Sequence, residues 1–267
     1  MYYDGNCNGF TVTKYIESYG MNEKQLKGSK TAKQGFLNEE VVVEKFNNWQ
    51  TDSNARDWLL TMNYNLNEIQ NVVAVKIHGF KTDVQIQVTI TFKSAIDVQN
   101  LQVKLVSQKK GFNQIDKRWI VSYQELWGFS QKISTILKKF TGEILPSIDK
   151  PKSRKRMFIF EFTDEEQTEL KQWLESNKSL IVSDVLKGRG QFAAEWMLVI
   201  RKSSSHLDWV LKPMNYCLNH FGNEEIVFTP RGSIRIGKIT VQRKGGDNGR
   251  STANMLQFKI DPTSLFT

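Results

Sequence analysis

The sequence predicts a mixed α/β fold (α+β). Three observations carry it: strict apolar–polar alternation from Val84 to Phe92, amphipathic helical stretches on either side, and strand-like segments grouped in hairpins beyond Gly190. At 267 residues the chain is long enough to bury a sizeable core.

Residues 1–27 are polar and Gly-rich and read as a loosely tied extension, leaving 28–267 as a single domain. From Thr31 to Trp49 the apolar positions Phe36, Leu37, Val41, Val42, Phe46 and Trp49 recur at helical spacing. A second short helix runs from Ser53 to Met62, with Trp58, Leu59 and Met62 on one face. Val84, Ile86, Val88, Ile90 and Phe92 then alternate with Gln and Thr, the signature of a half-buried strand. Lys93-Ser94-Ala95 allows a turn into a second strand, Asp97 to Val106. A helix is expected from Ser122 to Phe140, burying Leu126, Ile133, Ile136, Leu137 and Phe140. Two prolines and a basic cluster, Lys150, Lys152, Arg154, Lys155 and Arg156, mark 146–156 as an exposed connection; its charges read as a solvated linker, with phosphate binding as the alternative. Thr163 and Glu166 form a capping-box pair opening a helix with Leu170, Trp173 and Leu174. Strands are expected at Glu195–Ile200, Glu225–Phe228, Ser233–Gln242 and Met255–Ile260.

Composition narrows the function classes. Lys and Arg outnumber Asp and Glu 37 to 28, a formal charge of +9, which favours nucleic acid because binding phosphates releases condensed counterions. No apolar run approaches the roughly 18 residues of a membrane span. The N-terminus has neither a basic stretch nor an apolar signal core, and Cys7 and Cys217 are too few for a disulfide framework, so a cytoplasmic location is expected. Cys217-x-x-His220 is half a zinc site without a second half, His78 and His206 stand alone, and no GxSxG elbow, Walker loop or Rossmann fingerprint occurs.

Hydrolysis of a phosphodiester with a divalent metal needs hard oxygen ligands, activated water and a positive charge near the developing phosphorane. Asp83 opens the alternating strand; Gln102 lies on the next, with Lys104 two residues later on the same face. In a hairpin of these strands Asp83 comes level with that polar face. The arrangement resembles the PD-(D/E)XK nuclease core. That resemblance implies Asp83 and Gln102 as metal ligands with help from the Val103 carbonyl, and Lys104 polarising the attacking water. Thr82 stands where that motif has Pro, and Gln102 where many members have Glu. Glu39 occupies a place from which such folds supply a further acid. A rival Gln257-x-Lys259, preceded by Asp247, reads as structural or as a DNA contact.

Two segments suit nucleic acid. In the first, Lys109 and Lys110 suit phosphates, Asn113 and Gln114 can read base edges, and Phe112 either wedges between base steps or packs back into the core. In the second, Gln242, Arg243, Lys244, Asp247, Asn248 and Arg250 carry donors and acceptors suited to G and C edges, with solvated loop charges as the alternative.

The segments GSKTAKQGFLNE, NLQVKLVSQKKGFNQIDKRW, FTGE, LKGRGQFAAEW, TVQRKGGDNGR and TANMLQFKIDP together resemble the HinP–MspI group of type II restriction endonucleases, and within it the branch that cuts GCGC. The resemblance runs from Gly28 to the C-terminus. It implies a central mixed sheet flanked by helices, Mg²⁺ dependence with Mn²⁺ substituting, double-stranded DNA as substrate, and cleavage of GCGC after the first G to leave 5′-phosphate ends. It also implies a cognate DNA methyltransferase as functional partner, and is compatible with a monomer or a homodimer. Within it, Gln114, Arg243 and Lys244 are the candidates for base contacts, Phe112 is the candidate wedge, and Thr82 stands where the group usually has Ser. Two rivals remain open. A repair nuclease of the same fold would cut damaged duplexes without a palindrome, and a DNA-binding protein with a dead site would bind without cutting.

Overall fold

The computed structural model describes residues 39–77, 85–106, 111–202, 207–246 and 250–266. The chain divides into Met1–Leu37 and Asn38–Thr267, and only the second contains described residues.

Helix α1 covers residues 39–47 and buries Val42 and Phe46. Asp52 accepts from the Ala55 N–H at 2.9 Å and so starts α2 (Ser53–Thr61), which buries Trp58 and Leu59. Three strands follow: β1 (Ile69–Ile77), β2 (Gln85–Phe92) and β3 (Ile96–Val106). The alternation of β2 is as expected, with Ile86, Val88 and Ile90 fully buried. The turn at Lys93-Ser94 closes through the Phe92 N–H to the Ala95 carbonyl (2.8 Å). Parallel to β3 lies β5 (Trp196–Lys202), and antiparallel to β5 lies β6 (Leu207–Pro213), giving a five-stranded mixed sheet ordered β1-β2-β3-β5-β6.

The crossover from β3 to β5 carries β4 (Asn113–Arg118), α3 (Ile120–Trp127), α4 (Gln131–Thr141), α5 (Asp164–Ser176) and α6 (Lys178–Leu186). The single helix expected from Ser122 to Phe140 is two. Gly128 takes a left-handed φ of 66° and ends α3, and the Ser130 hydroxyl accepts from the Ile133 N–H (3.2 Å) and starts α4. Helix α5 opens with the expected capping box of Thr163 and Glu166. After α7 (Met214–Gly222) come β7 (Ile226–Phe228), β8 (Ile234–Ile236), β9 (Ile239–Arg243) and β10 (Leu256–Ile260). The strand expected over Ser233–Gln242 is a hairpin, because Gly237, at φ 58°, turns the chain between β8 and β9. Strands β4-β10-β9-β8-β7 form a second, wholly antiparallel sheet.

Two cores position the site. One lies under α1 and α2 and takes Leu101, Val103, Leu198 and Ile200 from one face of the mixed sheet. The other takes Val106, Met197 and Val199 from the opposite face, together with the crossover helices and the second sheet. The middle of β3 is thereby enclosed on both sides.

Candidate active site and nucleic-acid interface

Because Leu101, Val103 and Leu105 enter the core beneath α1 and α2, pleating turns Gln102 and Lys104 to the other face, beside Met197 and Val199 of β5. This polar face does not meet solvent. Gln102 is fully buried and Lys104 is 5% exposed. A lysine so enclosed needs acceptors to offset its lost hydration, and Lys104 Nζ donates to the Gln114 carbonyl of β4 at 3.3 Å. The candidate catalytic strand is thus tied directly to the second sheet.

Gln114 is a junction. Its Oε1 accepts from Gln257 Nε2 of β10 at 2.6 Å, and its register partner on β10 is Lys259. The Gln257-x-Lys259 pattern, a rival in the sequence, therefore faces the same polar layer. Gln257 is in register with Gln242 of β9, and its own Oε1 is buried without a hydrogen-bond partner among the described residues. Burial also pulls the Lys259 ammonium below the usual lysine range. Gln257 and Lys259, read in the sequence as structural or as a DNA contact, thus stand beside Gln114 in this layer.

The other candidates distribute as follows. Phe112 is 64% exposed, so it projects outward instead of packing back into the core. Asn113 Nδ2 donates to the Gly111 carbonyl (3.3 Å), holding the entry to β4. Gln242 is half-buried on the polar face of the second sheet. Arg243 falls on the other face: its Nε donates to the Thr141 carbonyl at 2.8 Å and its Nη2 to Asn254 Oδ1 at 2.7 Å. Those bonds tie β9 to the end of α4 and leave Arg243 less able to reach a base edge than its position in the sequence implied. The Lys244 N–H bonds the Met255 carbonyl (2.8 Å), and Arg250 is exposed. Thr82, Asp83, Lys109, Lys110, Asp247 and Asn248 lie outside the described residues, as do His78 and His206.

Glu39, on α1, lies 3.8 Å from Lys76 Nζ of β1. Lys76 is in register with Ile86, and Ile86 with Leu101, so this carboxylate lies over the helix-covered face of the sheet, opposite to the face of Gln102. Cys217 and His220 are structural: the Cys217 thiol is pushed up to about 12 by burial, and His220 Nε2 bonds Ser264 Oγ at 2.9 Å.

The donors on β3 suit a hard divalent cation in kind, since the Gln102 amide and the Val103 carbonyl both offer oxygen. Among the described residues no group of three His, Cys, Asp or Glu side chains could hold a metal. A complete cage would need a further carboxylate, and the expected one, Asp83, lies outside the described residues.

Comparison with known proteins agrees with this architecture. The solved structure of restriction endonuclease MspI in complex with its cognate DNA superposes with a TM-score of 0.61 over 93% of this chain and 98% of that one, at 15% identity, a likeness of fold. A search of curated proteins finds no match. The R.HinP1I restriction endonuclease model matches residues 62–266, which takes in both sheets and every crossover helix. The chain therefore belongs to the R.HinP1I restriction endonuclease family and is a type II restriction enzyme.

Proposed function

We propose that this enzyme hydrolyses double-stranded DNA with Mg²⁺, Mn²⁺ substituting, at the palindrome GCGC, cutting after the first G to leave 5′-phosphate ends. The observation that carries the chemistry is the enclosure of Lys104 beside Gln102 on one face of β3, with Lys104 Nζ bonded to the Gln114 carbonyl. A lysine side chain enclosed beside a buried amide is uncommon in a protein interior, where long polar side chains are rarely buried unless paired. Asp83, two residues before Gln85 in the chain, supplies the carboxylate; Gln85 is the register partner of Gln102. In this reading Asp83, Gln102 and the Val103 carbonyl hold the metal, with Thr82 alongside. Glu39, engaged by Lys76, is the further acid of this set. When bound, the metal supplies Lewis acidity at the scissile phosphate. Lys104 orients the attacking water and offsets charge on the phosphorane.

Sequence reading falls to the polar layer of the second sheet and its loops: Gln114, Gln242 and Lys244 at base edges, Phe112 as the wedge, and Lys109, Lys110, Asn113, Asp247, Asn248 and Arg250 around them. Arg243 supports that surface from behind through Thr141 and Asn254. The domain is 28–267, the location cytoplasmic, and a cognate DNA methyltransferase protects the host's own sites. The neutral amide of Gln102 favours one alternative, a DNA-binding protein without catalysis.

Lys104→Met decides between them. It fills the same space without the charge, so fold and DNA binding should persist while the cleavage rate drops by about 100-fold or more. Full activity in this variant would remove Lys104 from the mechanism; no activity in the parent, with binding intact, would leave the DNA-binding reading.

A further inference from the structure

The basic segment Lys150–Arg156 reads in the sequence as a solvated linker, yet Arg156 is half-buried. Its guanidinium lies 4.0 Å from the ring centroid of Phe158 and 5.7 Å from that of Phe140. The segment is fixed there by the backbone: the Met157 N–H bonds the Lys139 carbonyl at 2.9 Å, and Gly142 packs against the Lys155 carbonyl. Arg243 reaches the same end of α4 from β9 through the Thr141 carbonyl. Two arginines therefore converge where α4 ends.

Stacking satisfies only the flat faces of a guanidinium; its five N–H groups point outward in the plane. Among the described residues Arg156 donates no hydrogen bond and joins no ion pair. The nearby carboxylate, Glu161, is taken up by the backbone N–H groups of Lys152 and Phe158, both at 2.6 Å. Arg243 uses Nε and Nη2 and leaves its Nη1 edge over. Burial, and then the charge of Arg243, lower the Arg156 pKa, with the Glu161 carboxylate acting in the opposite direction. Lys152 shares the Phe158 ring at 5.4 Å, lies 4.9 Å from Phe160, and extends the positive strip outward.

We propose that Arg156, held on the Phe158 and Phe140 rings beside Arg243, binds a backbone phosphate of the DNA duplex. The planar fork matches phosphate oxygens in a way a lysine does not. The contact would hold the duplex backbone where β9 and α4 end, without reading any base. The inference rests on the nuclease reading above, because a restriction enzyme must hold flanking phosphates as well as bases.

The test is binding of a 20-bp duplex, with and without GCGC, by the full chain and by Arg156→Gln across a salt series in Ca²⁺. One lost phosphate contact should reduce the slope of log affinity against log salt by about 0.9, so that between about 50 and 200 mM salt the variant loses about 3.5-fold less affinity than the parent. Both duplexes should be affected alike. An unaltered slope, with the variant folded, would overturn the proposal and leave Arg156 as a cover on two rings. An unaltered slope with loss of thermal stabilisation by inorganic phosphate would assign the site to a free anion and overturn the DNA assignment. If Arg156→Gln failed to fold, Arg156→Lys takes its place: it should keep the slope and bind several-fold more weakly, and unweakened binding would overturn the proposal. A parent chain with no affinity for duplex would remove the nuclease reading and this inference with it, whereas parent binding with an unaffected variant removes this inference alone.

Discussion

Tyr64 and Asp97 show how single side chains fasten the start of β3, the strand that carries Gln102 and Lys104. Tyr64 donates from its hydroxyl to Asp97 Oδ2 at 2.6 Å, and Gln99 Nε2 donates to the same oxygen at 3.1 Å. The Tyr64 hydrogen bond, ahead of the opposing effect of burial, holds the Asp97 carboxyl below the usual carboxylate range; burial and the Asp97 charge push the Tyr64 phenol up. A carboxylate with a depressed folded pKa adds stability above its unfolded pKa of about 3.9 and loses it as pH falls through the folded value. A phenol with a raised folded pKa adds stability below about 10 and loses it at higher pH. Tyr64→Phe should therefore lower stability at pH 7 by about 1 kcal/mol or less, since Asp97 is largely solvent-screened. That difference should shrink towards zero below about pH 3, as read by urea unfolding at the two pH values. A difference equally large in acid would mean that packing, not the hydrogen bond, links these residues. At this scale the sequence was legible where period two applied: Gln102 and Lys104 share a face because every second residue must. It was not legible where a contact spans distant strands. No local pattern announces that Gln114 accepts from Gln257, or that Arg243 turns away from Gln242 towards Thr141.

Elements were legible in proportion to how fully local signals defined them. The Thr163–Glu166 capping box and the apolar face behind it located α5, and the alternation of β2 located that strand. Strand β1 escaped notice because a register shift between Ile69 and Asn71 breaks its alternation. Strand β4 holds one buried aliphatic, Ile115, and a buried Asp116 kept in place by Arg118 Nε (3.1 Å) and the Tyr123 hydroxyl (3.0 Å). A strand that buries an ion pair does not look apolar. The break between α3 and α4 was written in Gly128 and Ser130, but the apolar period on either side concealed it. Glycines at the two ends of α4 and α3 give a paired prediction. Both have left-handed φ, 88° at Gly142 and 66° at Gly128, but a Cβ at Gly128 meets open space whereas one at Gly142 runs into the Lys155 carbonyl. Gly128→Ala should cost about 1 kcal/mol of backbone strain, and Gly142→Ala more than about 2 kcal/mol because backbone must also move. Thermal unfolding of the two variants checks the order; equal losses would show that the 155–157 segment yields freely, and would weaken the placement of Arg156 as well.

For the whole molecule, the proposed roles divide between the two sheets. The mixed sheet, with α1 and α2 on one face, presents Gln102 and Lys104 on the other. The antiparallel sheet brings the Gln114 carbonyl to Lys104, with Gln257 bonded to the Gln114 side chain and Gln242 and Lys259 in register beside them. The contact between Lys104 and the Gln114 carbonyl joins the two, linking the strand proposed to cut DNA to one proposed to read it. The net charge of +9 gives the frame its attraction for a polyanion, and the polar layer gives that attraction a direction. The central claim is metal-dependent cleavage at one short sequence. Its most direct test is digestion of an end-labelled duplex containing one GCGC, in Mg²⁺ and in EDTA, beside a duplex of equal composition lacking that site. The account predicts a single cut after the first G in Mg²⁺ and none in EDTA or in the control. Cutting of both duplexes alike, or cutting that persists in EDTA, would contradict it.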